Sequence, residues 1–167
     1  ICNNPICNYQ TELFLEDEEK TFLALEAFIP YKLNRAAELV SRQFARIYKD
    51  RAGLTRPEWR TLATLGQYGT LTATAIGAHS SMHKTKVSRA VQSLEERKWL
   101  KRSIDEQDRR VERLALTREG ARNYRELAQL AHAFQLKLRD VMGEADFDAL
   151  DRGLAAVEAR LGKDISM

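Results

Sequence analysis

Apolar positions along the chain fall into stretches of helical spacing, interrupted once by a segment that alternates. From about Phe22, the residues Leu25, Phe28, Ile29, Leu33, Ala36, Val40, Phe44 and Ile47 recur every three or four positions, which predicts an amphipathic helix. Pro30 either opens that helix, where its missing N–H costs least, or kinks a longer one. Gly53 is a suitable stop. Thr55-Arg56-Pro57-Glu58 has the form of a helix start: Thr55 caps, Glu58 stands at the reciprocal position and Pro57 fits the first turn. Trp59, Leu62, Ala63 and Gly66 mark the buried face of that helix, and Tyr68-Gly69 ends it. A short helix is expected from Thr72 to about His79, a turn at Ser80 to Met82, and a further helix from about Lys84 to Arg97.

The period then changes to two. Leu100 to Ile104, and then Val111, Arg113 and Ala115 against Glu112, Leu114 and Leu116, read as two short strands. The polar link Asp105-Glu106-Gln107-Asp108-Arg109-Arg110 lacks an Asn-Gly turn, so a longer hairpin loop is expected. Thr117 caps a helix with Ala121, Tyr124, Leu127, Ala128, Ala131, Phe134, Leu138 and Val141 at helical spacing, ended by Gly143. A last helix carries Phe147, Leu150, Leu154, Val157 and Leu161 and closes at Gly162. Residues 1–20 show no period and read as a mobile tail or a short added helix.

The expected fold is mainly α with a small β-hairpin wing. Its expected divisions are a tail (1–20), an N-terminal helix (21–52), a winged helix-turn-helix lobe (53–117) and C-terminal helices (118–167). The outer helices are apolar on more than one flank: Phe28, Ile29 and Tyr31 cluster beside Leu33, and Leu136 and Leu138 beside Phe134. So wide a face needs a partner beyond one compact core. Dimerisation through the N- and C-terminal helices is therefore expected, with internal packing as the alternative.

At 167 residues, 44% hydrophobic and 31% charged, the chain is long enough for one real core and is not of disordered composition. It contains no run near the roughly 18 apolar residues of a membrane helix, and its start lacks a basic region followed by an apolar run. No membrane association and a cytoplasmic location are expected. Net charge is only +3, but it is unevenly placed. Between Lys84 and Arg113 ten basic residues face six acidic ones, a surplus of +4 against −1 for the remainder. One polyanion-binding face fits that asymmetry, and a merely solvated surface fits it too.

Within the 84–97 helix, Val87, Ala90, Val91 and Leu94 share an inward face. Thr85, Lys86, Arg89 and Gln92 fall outward, flanked by Lys84 and Ser88. Arginine can pair with guanine through two hydrogen bonds and glutamine with adenine, while threonine and serine reach bases or phosphates. Lys84 and Lys86 reinforce the positive helix N-terminus, where phosphate is favoured. Such a helix alone is a weak signal, since any solvated amphipathic helix shares the pattern. The hairpin strengthens it, because Arg109-Arg110 on a ribbon can place a guanidinium in the minor groove. Asp105 and Asp108 then hold an arginine in orientation or stiffen the loop.

At this point the chain resembles a known family. Leu94-Glu95-Glu96-Arg97-Lys98-Trp99-Leu100, Asp105-Glu106-Gln107-Asp108-Arg109-Arg110 and Leu114-Ala115-Leu116-Thr117-Arg118-Glu119-Gly120 look like the pattern of the MarR (multiple antibiotic resistance regulator) family. Lys86-Val87-Ser88-Arg89 also matches its recognition-helix core, and the likeness in element order covers about residues 22–162. The resemblance implies a homodimer with intertwined terminal helices, usually a repressor of nearby genes. It implies that Arg110 enters the minor groove or is braced by Asp108, with Arg109 on phosphate. Trp99 stands where the family often has glycine. Recognition helices in successive major grooves, about 34–36 Å apart, predict a pseudo-palindromic operator in double-stranded DNA.

The resemblance also implies a small-molecule effector, for which an aromatic or phenolic acid or its thioester is expected. Tyr31, Arg42, Phe44 and Trp59 are the candidate lining, although each is also an ordinary structural residue. No metal or other cofactor is expected. His79 and His83 are four apart, but the helix should break between them, and they more readily meet phosphate or cap a helix. An enzyme is not expected, because the chain contains no phosphate-binding glycine loop, no His-Glu-x-x-His and no nucleophile elbow. Two alternatives stand beside DNA binding. One is a winged protein-interaction module, and the other a redox-responsive regulator using Cys2 and Cys7.

Overall fold

The computed structural model describes residues 23–105 and 107–161, so the expectations for residues 1–20, including Cys2 and Cys7, lie outside the described residues. The backbone divides into two compact units, parting between Gln43 and Phe44.

In the first unit a turn at Leu25 to Ala27 leads into helix α1, Ile29–Ala52, which continues into the second unit. Sequence periodicity started this helix near Phe22, but it starts at Ile29 with Pro30 in its first turn. The reason is chemical: Pro30 has no N–H to bond a carbonyl four residues back, so the helix begins around it rather than running through it. Leu23, Leu25, Phe28, Ile29 and Leu39 of this unit are exposed.

The second unit contains the end of α1 and helices α2 (Arg56–Tyr68), α3 (Ala73–Ser80) and α4 (Lys84–Glu96). Strands β1 (Leu100–Ile104) and β2 (Glu112–Leu116) follow, then helices α5 (Arg118–Met142) and α6 (Glu144–Leu161). Thr72 caps α3 by accepting the Ala75 N–H at 3.1 Å. Ser81, in the left-handed region at φ +50°, ends α3 and turns the chain into α4. β1 and β2 pair antiparallel, with Leu100 opposite Leu116, Arg102 opposite Leu114 and Ile104 opposite Glu112. Leu71 adds a rung that single-residue patterning could not reveal, exchanging backbone hydrogen bonds with Leu114 at 3.0 and 2.8 Å. The core lies under α4: Leu54, Leu62, Leu65, Ile76, Val87, Val91, Leu94, Leu100, Leu114 and Leu127 pack together.

At the junction from α4 to the wing the residue in the left-handed conformation is Lys98, at φ +61°. The Trp99 N–H bonds the Leu94 carbonyl at 2.9 Å and the Lys98 N–H bonds the Glu95 carbonyl at 2.8 Å. This Schellman closure puts Lys98 at the position that favours glycine. Trp99 follows in ordinary backbone, packed against the core with the Arg97 guanidinium 5.6 Å from its ring centre.

The far side of the junction explains the Thr117–Gly120 spacing. The Thr117 hydroxyl donates to the Lys98 carbonyl at 2.7 Å and accepts from the Gly120 N–H at 3.0 Å, capping α5. A Cβ on Gly120 would lie 1.9 Å from the Trp99 carbonyl oxygen. Only glycine lets α5 start so close to the wing. Two substitutions at this junction should therefore move urea midpoints in opposite directions. Lys98→Gly relieves the left-handed backbone and gains about 1 kcal/mol. Gly120→Ala overpacks and loses about 3 kcal/mol. Equal midpoints for Lys98→Gly and the parent would show that the junction carries no strain.

Candidate nucleic-acid interface

The expected division of α4 into two faces is observed. Val87, Ala90, Val91 and Leu94 are buried, while Lys84, Thr85, Lys86, Ser88, Arg89 and Gln92 are exposed. Gln92 is tied to its own helix, its amide bonding Glu96 at 3.1 Å. The inward face is fastened by polar contacts, of which sequence reasoning found only the Thr55–Glu58 pair. Glu58, 7% exposed, accepts the Thr55 N–H at 2.6 Å, the Thr55 hydroxyl at 2.8 Å and the Ser93 hydroxyl. The first two close the expected start of α2, and the third binds α2 to α4. Burial pushes the Glu58 carboxyl upward. The hydrogen bonds from Ser93 and Thr55, with the Arg97 charge, outweigh burial and hold it below the usual glutamate value of 4.5. Arg97 donates to the Ala52 and Gly53 carbonyls at 2.8 and 3.0 Å, securing the end of α4 to the end of α1.

The wing loop is pre-shaped by its two aspartates. The Asp105 carboxylate accepts from Arg113 at 2.6 Å and from the backbone N–H groups of Gln107 and Asp108 at 2.9 and 3.1 Å. These contacts, the Arg113 bond first, lower the Asp105 carboxyl below its ordinary range. Asp108 accepts the backbone N–H of Arg110 at 2.9 Å, so its brace reaches the Arg110 main chain. Asp105 thus holds an arginine and stiffens the loop, while Asp108 stiffens it. Arg109 and Arg110 are exposed and make no side-chain ion pair among the described residues. Both line a concavity of about 640 Å³ together with Thr72, Thr74, Lys84 and Ile104. Lys84 from α4 and two arginines from the wing therefore border one open groove. A second cavity of about 640 Å³ between α3, α4 and the sheet is bordered by Lys84, Ser88 and Arg102.

The expected effector lining is distributed over both units. In the first, Tyr31 has the Arg35 guanidinium 5.7 Å from its ring centre, and Arg42 pairs with Glu38 at 3.7 Å. In the second, Phe44 meets Trp59 edge-on at 5.3 Å between ring centres. Two residues the sequence reading missed extend this cluster: Tyr48 stacks on Trp59 at 5.8 Å, and Phe134 lies 5.2 Å from Phe44. Helical spacing marks Phe134 as an apolar position of α5, whereas Tyr48 lies outside the apolar repeat read for α1. Burial raises the Tyr48 phenol, against an opposing hydrogen bond and charge from Arg56. His79 stacks on Tyr68 at 4.2 Å, while His83 is the N-cap residue of α4 without a side-chain capping bond. Among the described residues, no group of three metal-binding side chains converges and no helix is long and apolar enough to cross a membrane.

Comparisons with known proteins agree with this geometry. The model of the MarR family matches residues 54–111. The uncharacterized HTH-type transcriptional regulator YwoH of Bacillus subtilis strain 168 is 28% identical over 97 residues, spanning 58% of this chain and 69% of YwoH. The structure of NadR in complex with 4-hydroxyphenylacetate superposes with a TM-score of 0.67 at 25% identity, covering 81% of this chain and 94% of NadR. A MarR family transcriptional regulator from Silicibacter pomeroyi DSS-3 superposes with a TM-score of 0.69 at 27% identity, covering 81% and 98%.

The Glu58 cluster generates a pH prediction. Its carboxyl is lower in the folded than in the unfolded chain, so ionised Glu58 stabilises the fold fully above 4.5. That contribution is lost as pH falls through the folded value. Glu58→Gln should be less stable than the parent at pH 7 by about 1–3 kcal/mol. It should also show a shallower loss of stability on acidification, read from urea midpoints between pH 7 and 3. An unchanged acid limb would assign the loss to other carboxylates.

Proposed function

We propose that the chain, whose residues 54–111 match the MarR family model, is a sequence-specific DNA-binding regulator of that family. It binds a pseudo-palindromic operator as a homodimer and represses adjacent genes from the cytoplasm. The observation that carries this reading is the groove in which Lys84 meets Arg109 and Arg110, beside the polar outward face of α4. Cations drawn from two elements, without carboxylate partners among the described residues, fit a polyanion better than a protein surface. Arg89 reads a base edge, with Lys84, Thr85, Lys86, Ser88 and Gln92 on phosphates or neighbouring bases. Arg110 enters the minor groove beside Arg109 on the phosphate.

Dimerisation draws support from each unit taken separately. The first exposes Leu23, Leu25, Phe28, Ile29 and Leu39. In the second, Leu150, Leu154, Val157 and Leu161 form a stripe along α6, and Leu136 and Val141 are exposed on α5. So much uncovered apolar surface is unusual for a monomer. Release by an effector is also proposed, the ligand being a small aromatic acid or its thioester. The phenolic acid in the NadR complex supports it, and Phe44 and Trp59 supply aromatic surface of the matching kind. Tyr31 and Arg42, in the first unit, are further candidate effector contacts.

Fluorescence anisotropy on duplexes selected from a random pool tests DNA reading. Affinity should fall steeply with salt, the logarithmic slope being about −0.9 per phosphate neutralised. Arg110→Ala should bind more weakly with stability within about 0.5 kcal/mol of the parent. Arg89→Ala should lose about 1–3 kcal/mol and relax preference at one base pair. An Arg110→Ala protein that binds like its parent removes the wing from the interface. Leu154→Glu should sediment as a monomer where the parent sediments as a dimer; a monomeric parent refutes the pairing. Adding phenolic acids to the preformed complex should release the duplex, and no release by any of them rejects the effector.

A further inference from the structure

The strand register places Leu100, Arg102 and Ile104 of β1 on the same side of the ribbon as Glu112, Leu114 and Leu116 of β2. Leu100 and Leu114 are buried, at 3% and 1% exposure, so this is the side that packs on the helices. Alternation calls for an apolar residue opposite Leu114, yet the chain has Arg102 there. Its Nε donates to both carboxylate oxygens of Glu95, at 2.8 and 2.9 Å. One terminal nitrogen donates to Glu112 at 2.8 Å. Glu95 belongs to the last turn of α4 and Glu112 opens β2. A single guanidinium on β1 therefore joins the recognition helix to both strands of the wing.

We propose that Arg102, with Glu95 and Glu112, is the brace that fixes the wing relative to α4 and so aims Arg109 and Arg110. The inference rests on the DNA-binding reading above. An isolated exposed ion pair contributes little, but one planar group held by two carboxylates restricts both partners at once. Glu95 and Glu112 are also acidic groups close to a surface read as facing a polyanion. By charge alone they oppose binding, so a positional role accounts for them where attraction to DNA does not.

That opposition of signs supplies the test. The parent, Glu95→Gln, Glu112→Gln, Arg102→Gln and Arg102→Lys are titrated against a duplex selected by the parent from a random pool. Plain electrostatics predicts tighter binding when either glutamate loses its charge. The brace predicts weaker binding, by about fivefold for each glutamate variant, with the salt slope of the parent. Arg102→Lys, which keeps the charge but not the fork, should behave like Arg102→Gln. All of these losses should disappear in an Arg109→Ala, Arg110→Ala background. Tighter or unchanged binding by the glutamate variants, or losses that add to those of the wing arginines, overturns the proposal. Amide exchange gives a reading without DNA: in Arg102→Gln the rung between Ser103 and Arg113 should lose protection while α2 and α4 keep theirs. A parent that binds no duplex refutes the DNA reading. The brace is then judged by that rung, and unchanged protection overturns it.

Discussion

A buried carboxylate holds the helices of the winged lobe in register. Glu58 completes the first turn of α2 through Thr55 and reaches across to the Ser93 hydroxyl on α4. A charge removed from water is costly unless several donors surround it. With three hydrogen bonds and the positive charge of Arg97 in range, its ionised form is favoured instead. Apolar packing of Val87, Ala90, Val91 and Leu94 decides which face of α4 turns inward. The directional bond at Ser93 adds a polar anchor that ties that face to α2.

The same logic extends along the chain. Arg97 ties the end of α4 to the carbonyls that close α1, the Schellman turn at Lys98 redirects the backbone, and Thr117 returns a bond to the Lys98 carbonyl. The close approach of Gly120 to Trp99 then sets α5 against the start of the wing. Each contact satisfies a helix-end group that would otherwise lack a partner. The result is a wing whose base is fixed by main-chain geometry and whose tip is shaped by Asp105 and Asp108.

Charge is arranged in two populations. Arg97, Arg102 and Arg113 are engaged with carbonyls or carboxylates and serve the architecture. Lys84, Arg109 and Arg110 border an open groove and have no carboxylate partner among the described residues. The net charge of +3 conceals this division, since the paired arginines are largely cancelled and the free ones are not. A ligand of repeated negative charge is the natural complement of the second population.

Much of this was legible in the sequence, because it depends on local spacing. Helical periodicity gave α2 to α5 nearly to the residue, Thr55 and Glu58 announced a capping box, and the inward and outward faces of α4 follow from a 3.6-residue repeat. The motif from Asp105 to Gly120 carried the resemblance to the MarR family. Sequence reading erred where a local rule had two readings: Pro30 opens a helix that periodicity began earlier. It was silent where partners lie far apart in the chain, as with Glu58 and Ser93, Arg97 and Ala52, or Leu71 and Leu114. Residue types and local order determine which elements form and which side chains carry charge. Which arginines are held by carboxylates and which stay free is decided by distance in three dimensions, and that distance exists only once the helices and the ribbon have packed.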